Sequence, residues 1–126
     1  MVSYSGGNPV TYAERSCGGW FKGEDPTVSR EVLIANWVDD AEVVYIGKAD
    51  NIRRRLREFA DFGAGKPVGH RGGRLIWQLA NIDRLLVAWK ETPGRVPFDV
   101  ETALISQFRQ AYGKPPFANS PHRMGL

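Results

Sequence analysis

The sequence predicts a small α/β domain: a three-stranded antiparallel sheet flanked by helices, in the order β-β-α-β-α, behind an irregular N-terminal arm. Three observations carry that prediction. Two β-branched, apolar runs, Val32 to Val38 and Val43 to Gly47, flank a turn at Asp39-Asp40-Ala41 and read as a β-hairpin. Two later stretches, opening near Asp50 and Asp99, repeat their apolar residues at helical spacing. A short apolar run between them, Leu85 to Trp89, reads as a third strand.

Size and composition support one unit. The chain has 126 residues, enough for one α/β core but not for a catalytic domain plus a second domain of full size. With 42% hydrophobic and 25% charged residues it matches the ordinary globular mix, which argues against disorder or a fibrous repeat. Cys17 is the only cysteine, so an internal disulfide and a Cys-rich zinc site are excluded and a reducing compartment fits best. No apolar run approaches the roughly 18 residues of a membrane span. The opening Met-Val-Ser-Tyr-Ser-Gly-Gly lacks the apolar centre of a signal peptide, so a cytoplasmic protein with no membrane partner is expected.

Residues 1–30 are rich in Gly, Ser and Pro and read as the irregular arm, with residues 31–126 as the domain proper. Trp20 and Phe21 suggest that part of the arm packs down. Asp50 can cap a helix to about Asp61, with Ile52, Leu56, Phe59 and Ala60 on its apolar side and Gly63 and Gly65 closing it. A short helical segment around Leu75 to Leu79 precedes the third strand. Asp99 can cap the last helix, whose apolar positions are Val100, Ala103, Leu104, Phe108 and Ala111, ending at Gly113 before Pro115-Pro116. Apolar residues on both faces of the second strand predict helices on both sides of the sheet.

The net charge is only +3, which permits a nucleic-acid partner without requiring one. Its distribution is more informative. Arg53, Arg54, Arg55 and Arg57 cluster at the start of the first predicted helix, and Lys66, His70, Arg71 and Arg74 form a second basic group. At about 100° per residue, Arg53, Arg54 and Arg57 point away from the apolar stripe while Arg55 sits on its edge. An arginine there either snorkels past the core or lines a cleft. Glu101 falls within the apolar stripe of the last helix near Leu104 and Phe108, where a carboxylate needs a cation. That cation is Arg55, the helix N-terminus or a divalent metal. Tyr45 shares a strand face with Gly47, which leaves room beside the phenol; it is either a core tyrosine or a site residue. His70, alone in a basic loop, cannot define a metal site by itself.

The run Tyr45-Ile46-Gly47-Lys48-Ala49-Asp50-Asn51-Ile52-Arg53-Arg54-Arg55-Leu56 resembles the second signature of the GIY-YIG nuclease superfamily, a Tyr-Val/Ile-Gly-Lys strand end followed by a helix bearing an invariant arginine. Its spacing puts that arginine at Arg55, the residue that helical geometry had already set apart. Glu101-Thr102-Ala103-Leu104-Ile105 looks like the family's helix with the metal-binding glutamate, and Pro116-Phe117-Ala118-Asn119 like its terminal aromatic-x-Asn segment. The likeness spans roughly Glu31 to Asn119. It departs at the first signature, whose tyrosine would fall near Ile34; Tyr45 then works alone, or Tyr4, Tyr12 or His70 fills the gap, or hydrolysis is lost. Phe59 stands where some relatives carry a histidine.

The resemblance implies a GIY-YIG-like fold and a divalent-metal-dependent endonuclease acting on DNA in repair, recombination or restriction. Its catalytic set would be Tyr45, Lys48, Arg55, Glu101 and Asn119, with His70 as a candidate. Glu101 would hold one Mg2+ or Mn2+, and Asn119 would hold Glu101 or the substrate in place. Arg53, Arg54, Arg57, Lys66, Arg71 and Arg74 would grip the DNA backbone. A homodimer or a targeting protein would supply specificity. The alternatives are a catalytically silent DNA-binding module of the same fold, and an interaction protein in which Arg55 and Glu101 form a buried ion pair.

Overall fold

Ser29 and Asn51 start two of the three α-helices by one device. A side-chain oxygen of each accepts the N–H three residues on, from Val32 at 3.3 Å and from Arg54 at 3.0 Å. In the computed structural model, which describes residues 1–69 and 72–119, Ser29 opens α1 (Arg30–Asn36) and Asn51, rather than Asp50, opens α2 (Ile52–Gly63). His70 and Arg71 lie outside the described residues.

Helix α1 corrects the expected strand Val32 to Val38, and with it the hairpin. Its β-branched residues suit a strand, but burial follows a helical interval: Leu33 and Asn36 are buried, whereas Ile34 is 54% exposed. The first strand lies instead inside the supposed arm. β1 (Val2–Tyr4) takes the centre of a three-stranded antiparallel sheet, with β2 (Val43–Tyr45) on one side and β3 (Leu85–Val87) on the other. Val2 stands opposite both Tyr45 and Val87. Beyond β1, Met1 and Ala88 exchange two further bonds at 2.9 Å. Expected and observed folds therefore share a mixed α/β layout, three antiparallel strands and the later helices; they differ in which segment supplies the first strand.

Further along residues 1–30, Ala13, Cys17, Gly19 and Val28 are hydrogen-bonded to the segments around Phe62 and Gln78. Gln78, 2% exposed, ends the 3-10 turn Arg74–Gln78. Its Oε1 accepts the Val28 N–H at 3.0 Å while its Nε2 donates to the Val28 carbonyl at 2.9 Å. A buried amide with both ends engaged carries little desolvation penalty and fixes the segment it holds. Around it, Leu33, Val44, Leu75, Ile76, Leu79 and Phe117 are almost inaccessible.

α3 (Pro97–Tyr112) starts with Pro97 in its first turn and Val96 as cap, not Asp99, which sits inside the first turn. Gly113 closes it. Of its expected apolar stripe only Phe108 is buried; Val100 and Leu104 are half-buried, and Ala103 and Ala111 are exposed. α3 therefore leaves an opening beside the sheet. Among the described residues no helix is long and apolar enough to cross a membrane.

Candidate active site

Asn119 sets the position of the strand that carries Tyr45. From the 3-10 turn Phe117–Asn119 its Oδ1 accepts the Ile46 N–H and its Nδ2 donates to the Ile46 carbonyl, both at 2.8 Å. Asn119 thus acts like one residue of a neighbouring strand. Its amide is committed to the backbone, which corrects the expectation that it holds Glu101 or the substrate.

Tyr45 is shaped by two glycines. A Cβ on Gly47 would lie 2.9 Å from the Tyr45 Oη, so the space expected there for a ligand is taken by the phenol itself. A Cβ on Gly72 would collide with the same hydroxyl and come 3.1 Å from Arg55 Nη2. Phenol and guanidinium therefore converge on Gly72. The Arg55 side chain is 40% exposed, and its Nη1 donates to Glu58 Oε2 at 3.3 Å. Glu58 also receives Arg54 Nε at 3.1 Å. The Arg54 hydrogen bond, followed by Arg54 charge and the Arg55 bond, holds the Glu58 carboxyl below its ordinary pKa. The arginine–carboxylate pair seen here is thus Arg55–Glu58, within α2, and not the Arg55–Glu101 pair of the interaction-protein alternative.

Tyr45, Lys48, Arg53, Arg55 and Glu101 all line one open cleft of about 870 Å³. The β2–α2 junction contributes Tyr45, Lys48 and the arginines; α3 contributes Glu101, flanked by Val100 and Leu104. Glu101 is half-buried, and none of the ion pairs among the described residues includes it. No group of three or more His, Cys, Asp or Glu side chains converges among those residues. Asp50 and Glu91 are the other carboxylates that line the cleft.

The remaining predicted cations separate by burial. Arg53 and Arg57 are exposed, and Arg54 is 79% exposed despite its pairing. Lys66 is exposed and bridges Asp61 at 3.2 Å. Arg74 is buried, with its guanidinium over the Phe62 ring, so its expected contact with DNA is corrected to a packing role. Charge alone did not reveal that burial. His70 and Arg71, also predicted for the site, fall outside the described residues.

Two tyrosines were candidates for the missing first-strand residue. Tyr4 stands on β1 beside β2, but its hydroxyl donates to the Ala80 carbonyl and its ring is buried. Tyr12 packs on Trp37 and Phe117, and its pKa is pushed up to about 12, chiefly by burial. Neither lines the cleft. Two features escaped the sequence reading. Glu58 sits three and four positions after Arg55 and Arg54, a spacing that could have announced it; Trp89, on the cleft wall, carried no such signal.

Comparison with protein-family models, curated proteins and solved structures finds no match for this chain.

Proposed function

We propose that this chain is a divalent-metal-dependent endonuclease of the GIY-YIG type, hydrolysing DNA phosphodiester bonds. The observation that carries the reading is the meeting of Tyr45, Lys48, Arg55 and Glu101 in one cleft, from motifs that lie 56 positions apart between Tyr45 and Glu101. Arg55, with its tip beside the Tyr45 hydroxyl, is suited to neutralise charge that builds on a phosphate in the transition state. A donor in that role is commonly worth about 3 kcal/mol or more. Tyr45 orients or deprotonates the attacking water, and Lys48 adds a positive charge to the same cleft. Glu101 would hold Mg2+ or Mn2+, and such an ion would supply Lewis-acid stabilisation of phosphate charge there. Arg53, Arg54 and Arg57 present cations to the DNA backbone.

A cytoplasmic role in repair, recombination or restriction, with targeting supplied by a second copy or a partner protein, accompanies this reading. The absence of a Tyr4 or Tyr12 hydroxyl from the cleft favours a second one, a silent domain that binds DNA without cutting it. Incubation with supercoiled, branched and single-stranded DNA, with and without Mg2+ or Mn2+, separates them. Metal-dependent nicking lost in Arg55→Ala supports the nuclease; binding with no cleavage under any condition supports the silent module.

A further inference from the structure

Much of the cleft lining is apolar. Val87 at the end of β3, Trp89 and Pro93 beyond it, and Pro97, Val100 and Leu104 on α3 belong to that lining. Trp89 is 66% exposed, and Lys90 follows it in the same lining. The same cleft is lined by the cations Lys48, Arg53 and Arg55 and by the carboxylates Asp50, Glu91 and Glu101. One cleft therefore offers cations and an exposed indole together.

A paired duplex uses only half of this surface, because its bases are stacked inside and it presents phosphates and groove edges. An unpaired nucleotide uses both, since it joins an anionic phosphate to a flat π-face that can stack on an aromatic ring. The volume of about 870 Å³ is within the usual range for a site of ligand size. We infer that Trp89 forms a nucleobase-stacking subsite, so that the preferred substrate is DNA with an unpaired or single-stranded nucleotide at the cleft. This rests on the nuclease reading for the identity of the ligand, but not on cleavage. With the phosphate at Arg55 and the base on Trp89, the subsite selects the strand by what is missing from it, its pairing partner.

The test is a binding measurement in EDTA, so that affinity is read apart from hydrolysis. Fluorescence anisotropy compares a labelled duplex, the same duplex carrying unpaired nucleotides, and the single strand. The unpaired forms are expected to bind roughly ten-fold or more tightly than the duplex. Trp89→Ala should bring the affinities together, Trp89→Phe should restore most of the difference, and both should melt as the parent does because Trp89 is exposed. Equal affinity of the parent for all three DNAs overturns the inference, as does a preference that survives in Trp89→Ala. A Trp89→Ala protein that changes only from dimer to monomer, with its DNA preference intact, also overturns it and assigns the face to a second copy. Failure of the nuclease reading looks different: the unpaired preference persists, yet no DNA is cut with Mg2+ or Mn2+.

Discussion

Asn119 and Ile46, 73 positions apart in the chain, exchange two 2.8 Å hydrogen bonds, so the last described residue fixes the strand end on which Tyr45 stands. Ile46 is 3% exposed, and its two backbone groups have no ready access to water. Asn119→Ala should cost about 1–3 kcal/mol for each group left unsatisfied, read as a lower denaturation midpoint. Asn119→Asp keeps the acceptor but sets a carboxylate against the Ile46 carbonyl. Its deficit relative to the parent should shrink as pH falls and the introduced carboxyl gains a proton to donate. A pH-independent deficit would mean that the second bond contributes nothing.

Gly72 and Tyr45 should be coupled. Gly72→Ala places a methyl group against the Tyr45 hydroxyl, while Tyr45→Phe removes that hydroxyl and leaves the nearest ring carbon at 3.3 Å. The double mutant should be more stable than the sum of the single changes implies, by about 0.5–3 kcal/mol, in a denaturant-unfolding cycle. Strict additivity would place the two groups out of contact.

Glu101→Gln should abolish metal-dependent cleavage while the melting temperature stays within a degree or two of the parent, because Glu101 joins none of the ion pairs among the described residues. DNA binding should hold or improve as a negative charge is lost near the phosphate. A steep fall in the melt, with nicking proportional to the folded fraction, would instead make Glu101 structural.

Glu58 supports a pH prediction. Its folded-state pKa is depressed, by the Arg54 hydrogen bond first, so its contribution is fully present above the ordinary glutamate range and is lost as pH falls through the depressed value. Urea midpoints of the parent and Glu58→Gln should converge in that acid window. Because the pair is exposed to solvent and screened, the gap at neutral pH should be small and should shrink further in high salt. A gap that widens toward acid would contradict the assigned sign.

The basic residues should divide by burial. Arg53→Gln with Arg57→Gln should lower the salt slope of DNA binding by about two units with little change in stability. Arg74→Gln should leave that slope unchanged in the folded protein and lower the melting temperature, because the guanidinium covers Phe62 in the interior.

The later part of the fold was legible in the sequence because its helices are long enough to show a period. α2 declares its face over twelve residues, and α3 over sixteen. β1 has three residues among glycines and a proline, too few to alternate visibly, and its position is set by ladders to segments far along the chain. α1 misled because Val32, Leu33 and Ile34 favour a strand locally, whereas the Ser29 cap and the Leu33–Asn36 face decide for a helix. For the site, helical geometry set Arg55 apart, and the cleft that it lines is lined also by Tyr45, Lys48 and Glu101. Helical geometry could not foresee that Asn119 spends its amide on Ile46 or that Arg74 turns inward, since both depend on contacts between distant segments.

The central strand pairs at its start with residues 87 positions further on, where Met1 meets Ala88. During synthesis, β1 leaves the ribosome first and must wait for β3 before the sheet can close, because β2 alone covers only one of its edges. Such long closure favours slow folding compared with a hairpin-built sheet of the same size. It also makes the growing chain vulnerable: until Leu85 to Val87 emerge, one edge of β1 is an unpaired template that another nascent chain could occupy.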